Sequence, residues 1–240
     1  MFFKSSVPMK QLCFTLVFVS LSSILLAQPN PTKKYYQTGE LLSVGVYNEN
    51  GKETGVWEFY HKNGQLMSSG NFENGIVSGE WKFYYENGHL ESIGVVENNA
   101  KTGEWKLYHD NGQLQYSGKF TKGVKTNEWK SFYQNGKQES VGYYANDAKN
   151  GHWQYFDTDG KMISEGTFVN DLESGIWKVY YPNGNIEMTG NLVDGVQEGE
   201  WKFYHENGKL MEQGRFENGA RKGEWVEYDI NGNEKSKASY

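Results

Sequence analysis

The feature that most constrains this chain is the spacing of its tryptophans. All eight recur at intervals of 24 residues: Trp57, Trp81, Trp105, Trp129, Trp153, Trp177, Trp201 and Trp225. A constant internal period of this size is typical of a repeat architecture, in which each unit buries its apolar face against its neighbours. We therefore predict that the eight tryptophans form the structural core of eight equivalent units.

Other positions keep the same period. In the unit from Gly79 to Val96, Gly lies two residues before Trp81, and Tyr lies three residues after it. Asn-Gly follows at six and seven residues, an apolar residue at nine, Gly at thirteen, and an aromatic or apolar residue at fifteen. The copy at 35–47 lacks Trp, and the last copy loses its apolar residue and second Gly. Atypical terminal copies are expected to cap a stacked array.

The Asn-Gly pairs predict how the strands pair. Asn-Gly between two apolar runs is the strongest local signal for a hairpin with a two-residue type I′ turn. This turn places Trp81 opposite Gly94, and Gly79 opposite Val96. A glycine has no Cβ, so it leaves room for a large ring on the neighbouring strand. A second turn, as in Glu73-Asn74-Gly75, joins consecutive units.

These signals predict an all-β fold: an elongated, single-domain antiparallel β-meander of about 17 strands, forming a curved or twisted open sheet over residues 35–240. Alternation assigns to the core face the tryptophan, the residue two after it, the leucine nine after it and the aromatic residue fifteen after it. The other face receives the residues on either side of Trp, often Glu and Lys, and the tyrosine three after it.

The aromatic residues have two interpretations. Tryptophans on the core face fill the interior. Tyrosines on the other face form a row with the same period: Tyr60, Tyr84, Tyr108, Tyr180, Tyr204 and Tyr228. Such rings can stack on an extended ligand while their hydroxyls donate hydrogen bonds. We treat these six tyrosines as candidate binding residues, although a structural role within the repeat is favoured.

The first 27 residues have the composition of a secretory signal peptide. Lys4 and Lys10 precede an apolar run at 12–26, Ala27 follows, and no acidic residue occurs before Glu40. We expect cleavage after Ala27, a short linker at 28–34, and an exported protein in the periplasm, on the outer surface or secreted. An uncleaved anchor and a start at Met9 are the alternatives; the apolar run is short for a membrane span.

No constellation for catalysis or for a metal stands out. Three of the five histidines, His61, His109 and His205, lie four residues after Trp in non-adjacent units, too far apart to share one ion. Asp157-x-Asp159-Gly160 resembles part of a calcium loop, but the other spaced ligands are missing. No phosphate-binding or dinucleotide motif occurs. We expect no cofactor, no metal and no enzymatic activity.

The net charge and the repeat array limit the kinds of binding partner that we expect. The net charge of −6, from 30 acidic and 24 basic residues, disfavours nucleic acid, which requires a basic surface. An array that fills the mature chain suits an extended partner. We expect this partner to be a protein or an envelope polymer, with a membrane surface as a further candidate.

The repeated motif, as in Gly79 to Val96 and Gly199 to Phe216, resembles the MORN-repeat variant common in bacterial proteins. The resemblance covers residues 35–240 and implies β-hairpin units that act as interaction modules. It also implies an alternative function, since some members look like antitoxin or immunity proteins that neutralise a toxin. Rescue from a toxic neighbouring gene would distinguish the alternative.

A unique site is expected where the motif departs from its consensus. Repeat four has Asn127, Ser131 and Gln138 where Gly, an apolar residue and Leu recur. Neutral drift is the alternative explanation of this cluster. A polysaccharide-active enzyme is disfavoured, because it needs two carboxylates outside the consensus, facing each other across a substrate.

Overall fold

The computed structural model describes residues 30–240, so the predicted signal peptide and the first two residues of the linker lie outside the described residues. The described chain forms 18 strands. They are β1 Thr32–Tyr35, β2 Leu41–Tyr47, β3 Glu53–Tyr60, β4 Leu66–Glu73, β5 Ile76–Tyr84, β6 Leu90–Glu97, β7 Ala100–Tyr108, β8 Leu114–Thr121, β9 Val124–Phe132, β10 Gln138–Ala145, β11 Ala148–Phe156, β12 Met162–Val169, β13 Leu172–Tyr180, β14 Ile186–Val193, β15 Val196–Tyr204, β16 Leu210–Glu217, β17 Ala220–Tyr228 and β18 Glu234–Ser239.

Each strand pairs antiparallel with the strands before and after it in the chain. β1 pairs only with β2, and β18 only with β17, so the sheet is open at both ends. The predicted all-β meander of hairpins is thereby confirmed, with one strand more than expected. Within residues 30–240 no helix is long and apolar enough to span a membrane.

The register is set by tryptophan rings lying on glycines. Trp81 pairs with Gly94 as predicted, and Gly94 pairs on its other side with Trp105. A Cβ added to Gly94 would overlap the Trp105 indole, so the ring that covers this glycine comes from the following repeat. The same overlap occurs at eight glycines: Gly45, Gly70, Gly94, Gly118, Gly142, Gly166, Gly190 and Gly214.

The position two residues before each tryptophan favours glycine for a different reason from the one predicted. Gly79 does lie opposite Val96, but no ring presses on it; its backbone has a φ of +73°. It belongs to a bulge, since the pairing shifts between Gly70 and Asn71 on the neighbouring strand. L-residues with side chains avoid this left-handed conformation, and Asn tolerates it best. Asn127, the single exception to glycine, accordingly has a φ of +61°.

The bulge also frees a carbonyl for the tryptophan. Trp81 Nε1 donates a hydrogen bond of 3.3 Å to the Asn71 carbonyl, at the point where the ladder is interrupted. Equivalent bonds of 3.1–3.3 Å are made by Trp57, Trp105, Trp129, Trp153, Trp201 and Trp225. Each of these indoles is therefore held by the packing of its ring on a glycine and by the hydrogen bond from its N–H.

The predicted turn type is wrong for the Asn-Gly pairs. Tyr85 and His89 are bonded across a three-residue loop, and Gly88 alone has a positive φ, of 84°. This pattern is typical of a type I turn followed by a left-handed glycine. The two-residue turns with two positive φ values, as predicted for type I′, instead join consecutive repeats, as at Asn74 and Gly75 with 54° and 81°.

The leucine nine residues after tryptophan lies on the opposite face from the one predicted. Tyr84 pairs with Leu90 and Phe83 with Ser92, so Glu91 is an extra residue that forms a bulge. This bulge compensates the longer loop and restores the predicted Trp81–Gly94 register. It also places Leu90 beside Tyr84, because paired residues share a face.

The core is a continuous row of rings along one face. The eight tryptophans are 0–6% exposed, and five of the residues fifteen after them are also buried, such as Phe120 and Phe168. Successive rings meet edge-to-face, as between Phe120 and Trp129 with centroids 5.0 Å apart. Such pairs add about 0.5–1.5 kcal/mol each beyond area burial.

The two classes of glycine should respond differently to substitution. We expect Gly94→Ala to lower the free energy of unfolding by about 1–3 kcal/mol, because the Trp105 ring must move. Gly103→Asn should cost much less, since a Cβ there meets nothing within 4 Å and Asn tolerates its φ of +67°. Urea unfolding of both variants measures the difference. Equal losses would contradict the account of the register.

Candidate functional site

The six candidate tyrosines form a half-buried row on the face opposite the tryptophans. Each pairs with the residue nine after the tryptophan of its repeat, as Tyr84 does with Leu90. Some of the hydroxyls already have partners: Tyr60 donates to Glu58 at 2.6 Å, and Tyr180 to Glu165 at 2.8 Å. Equivalent rings are two strands apart, about 10 Å, and therefore do not stack on one another.

In six of the eight repeats, the residue four after the tryptophan ties neighbouring repeats together. His61 Nε2 lies 2.9 Å from the Tyr84 carbonyl, and the Tyr85 hydroxyl donates to the Tyr108 carbonyl at 2.7 Å. His109 and His205 make the same contact, each with a backbone carbonyl of the repeat that follows its own. These three histidines are thus structural. Within residues 30–240 no group of three His, Cys, Asp or Glu side chains could hold a metal ion.

The loop asparagines have a second structural role. Asn87 Oδ1 accepts a bond from the His89 amide at 2.9 Å, which shapes its own loop. Its Nδ2 donates to the Asp110 carbonyl of the next loop at 2.9 Å. The same bridge starts from Asn63, Asn111, Asn135, Asn183 and Asn207. Along this edge, most of the polar side chains that recur from repeat to repeat make hydrogen bonds that stabilise the fold.

A row of cations, which the sequence analysis missed, lies on the tryptophan face. Lys101, Lys125 and Lys149 each lie four residues before a tryptophan. Their Nζ atoms lie over the rings of the following Trp105, Trp129 and Trp153, at 4.3, 4.8 and 4.6 Å from the centroids. Cation–π attraction of about 0.5–2 kcal/mol favours this position. Three charges at one repeat position in consecutive repeats were the signal that could have revealed it.

Repeat four opens a cleft in this face. Most repeats have a large residue two after tryptophan, such as Phe83 or Leu107, but here the residue is Ser131. It pairs with Ser140, and their Oγ atoms lie 2.7 Å apart. Because two small residues are adjacent in the row, the volume that a large side chain fills in other repeats is left empty. The resulting cleft has a volume of about 260 Å³.

Aromatic rings and lysines line this cleft. Tyr116 and Tyr155 pair with the two serines and form its opposite walls, and Tyr144 lies between Trp129 and Trp153. Tyr116 is 38% exposed.

The two lysines of the cleft enter from its side. Lys149 Nζ donates to the Tyr155 hydroxyl at 2.9 Å. Lys125 Nζ lies 4.9 Å from the centre of the Tyr144 ring. Burial lowers the pKa of Lys149 and raises the pKa of Tyr155.

The cleft has the chemistry of a binding site. Ser131 and Ser140 bond to each other, and no histidine is among the described residues that line the cleft, so neither hydroxyl has an imidazole to activate it. Among the described residues that line the cleft, Glu139 is the one with a carboxylate. Hydroxyls, ammonium groups and ring faces together suit a polar ligand with a flat or ringed body. Repeat four thus differs from the others in shape as well as in sequence.

The family comparison agrees with the geometry. The model described as "MORN repeat variant" matches seven consecutive segments, 53–74, 78–98, 101–122, 125–146, 149–170, 173–194 and 197–218. The chain belongs to the MORN repeat variant family. A comparison with curated proteins gave no match.

Several solved structures are similar to this MORN array. A mutant of the TCP10 domain of Danio rerio CPAP is 13% identical over 87% of this chain and 99% of that chain, with a TM-score of 0.30. The TcdB2-TccC3-TEV structure is 12% identical over 84% of this chain and 12% of that chain, with a TM-score of 0.20. The Photorhabdus luminescens Tc holotoxin pore is 11% identical over 83% and 12%, with a TM-score of 0.20.

The tyrosines of the MORN array should make its stability fall at high pH. The hydrogen bond to Glu58 raises the pKa of Tyr60 to about 12, and burial raises the pKa of Tyr180 to about 12. The folded state holds these phenols neutral. Their stabilisation is therefore complete below the ordinary pKa of 10 and is lost as the pH rises to about 12.

Urea unfolding at a series of pH values measures this loss. We expect the free energy of unfolding to fall between pH 10 and about 12, and Tyr60→Phe to make the fall less steep. A phenolate absorbance titration of Tyr60→Phe against the unchanged protein should lose a group that titrates near 12. Loss of a group that titrates near 10 would refute the assignment.

Proposed function

We propose that this protein is an exported, non-enzymatic binding protein whose MORN array holds an extended partner, such as an envelope polymer or a protein, in the cleft of repeat four. MORN repeats themselves indicate a repeat-based binding or scaffold role. The observation that carries the proposal further is the cleft at Ser131 and Ser140, which is lined by Ser131, one of the three departures predicted to mark a site.

The arrangement of the sheet supports an extended partner. Each strand pairs only with its sequence neighbours, so the tryptophan face continues from β2 to β17 without a covering layer among residues 30–240. Equivalent positions recur about every 10 Å along the face. A ligand anchored in the cleft could therefore continue over neighbouring repeats and meet the same side chains again.

Export is supported by the N-terminal sequence. The positive residues, apolar run and small residue that end at Ala27 are the three parts of a secretory signal. The chain has one cysteine, Cys13, and it lies within this segment. A mature protein beginning at Gln28 would contain no thiol, which suits an oxidising compartment.

Export and partner binding can be tested in one expression experiment. The full chain, expressed with a C-terminal tag in a bacterial host, should be recovered outside the cytoplasm with a mass that starts at Gln28. Since the mature chain has no cysteine, Glu139→Cys provides a single attachment point for a photo-crosslinker at the cleft. Glu128→Cys, exposed on the opposite face of the same repeat, is the matched control.

The crosslinked products decide the outcome. We expect Glu139→Cys to capture envelope material that Glu128→Cys does not capture. Recovery of the unprocessed chain in the cytoplasm would contradict export. Equal capture by the two variants, or none by either, would contradict a partner in the cleft.

A further inference from the structure

The three lysines of the row lack the carboxylate partner that the basic residue at the same position of repeat eight has. Arg221 occupies the same repeat position before Trp225, and its guanidinium forms two bonds to Glu212, of 2.6 and 2.8 Å. For Lys101, Lys125 and Lys149, no carboxylate oxygen of residues 30–240 lies within ion-pair range. The three ammonium groups are half-buried between rings, and the carboxylates nearest to Lys101 and Lys149 act on them only from beyond ion-pair range.

The row is local, although the protein as a whole is acidic. The same position holds Val77 before the three lysines and Glu173 after them. Its positive segment therefore covers repeats three to five, and the cleft lies between its second and third members. Adjacent ammonium groups on this ladder are about 10 Å apart. A ligand that satisfies them must carry negative charge at intervals along its length.

The cleft between Lys125 and Lys149 adds requirements of its own. The bonded Ser131 and Ser140 hydroxyls use one hydrogen between them, which leaves a second hydrogen to donate. Tyr155 already accepts from Lys149 and can donate its own hydrogen to a ligand. The exposed face of Tyr116 offers an apolar wall. A ring that carries several hydroxyls and one carboxylate satisfies all of these groups together.

From this geometry we infer that the cleft binds an acidic oligosaccharide, with a carboxylate held between Lys125 and Lys149 and its sugar ring against Tyr116, over the two serine hydroxyls. Further carboxylates of the same chain reach Lys101. This inference rests on the proposed function, because it names the class of polymer that the array binds. An acidic peptide would satisfy the lysines, but it would leave the paired serine hydroxyls and the tyrosine wall without matching groups.

The test measures binding of defined oligomers by calorimetry. The probes are an oligogalacturonate, a neutral glucose oligomer of the same length and a glutamate peptide of similar charge. We expect the oligogalacturonate to bind and its affinity to fall with rising salt, since the contacts are ionic. Lys125→Gln and Lys149→Gln should each weaken binding about tenfold or more, because each removes a charged hydrogen-bond donor.

Two control variants separate the cleft from overall charge. Lys106→Gln removes the same charge from the opposite face of β7 and should leave the affinity unchanged. Ser131→Leu restores the residue type of Leu107, fills the cleft without changing charge, and should abolish binding. The melting temperature and tryptophan fluorescence of each variant establish that it is folded; Lys149→Arg, which keeps the charge, should retain most of the affinity if Lys149→Gln loses it.

Several outcomes would overturn the inference. Equal loss in Lys106→Gln and Lys125→Gln would show attraction by overall charge. Full affinity in Ser131→Leu would place the ligand outside the cleft. Tighter binding of the glutamate peptide would replace the saccharide by a peptide, and binding of the neutral oligomer alone would refute the role of the lysines. In the last two cases the proposed binding function would survive, whereas its own failure would appear as no specific crosslinking at Glu139→Cys.

Discussion

The structure depends on one repeated contact, the tryptophan ring that lies flat on the glycine of the preceding strand. Only glycine fits there, since a Cβ would overlap the indole at each of the eight positions, for example Gly118 under Trp129. The ring is covered in turn by the phenylalanines and lysines around it. A sheet with no second layer among residues 30–240 can in this way keep its tryptophans 0–6% exposed.

The other repeated features hold this contact in place. The bulge at Gly79 gives the backbone the bend that brings Trp81 over Gly70, and it frees the carbonyl that the indole binds. The asparagine and histidine bridges hold the Asn-Gly ends of the hairpins, where Asn87 reaches the next loop and His61 reaches Tyr84, the last residue of β5. Each repeat therefore supports the next, as expected for a linear array.

Much of the fold follows from the sequence because the repeat states each signal eight times. The period predicts hairpins, and the pairing of Trp81 with Gly94 comes from counting outward from the loop. The turn type and the face of Leu90 could not be predicted, because the three-residue loop and the Glu91 bulge compensate each other in the count. The reason for glycine at position 79 could not be predicted either, because a crowded position and a left-handed backbone both favour glycine. Asn127 is the one sign of the left-handed backbone, since asparagine tolerates a positive φ but would not relieve crowding.

The candidate site shows the reverse relation. Ser131 could be singled out because it breaks the consensus, but the sequence alone does not show that Ser140 lies beside it or that Tyr116 and Tyr155 form the walls of the cleft. The lysines escaped notice because their position varies among Lys, Glu, Gln, Val and Arg from repeat to repeat. Residues that the repeat uses for folding are easy to predict, whereas residues that vary need the register before their neighbours are known.

The contact between ring and glycine can be observed directly by nuclear magnetic resonance. A glycine Hα held under an indole ring is shifted strongly upfield by the ring current. The account predicts eight such glycines, from Gly45 to Gly214, each with a nuclear Overhauser contact to the tryptophan that follows it. Glycine Hα resonances at their ordinary positions, without these contacts, would contradict it.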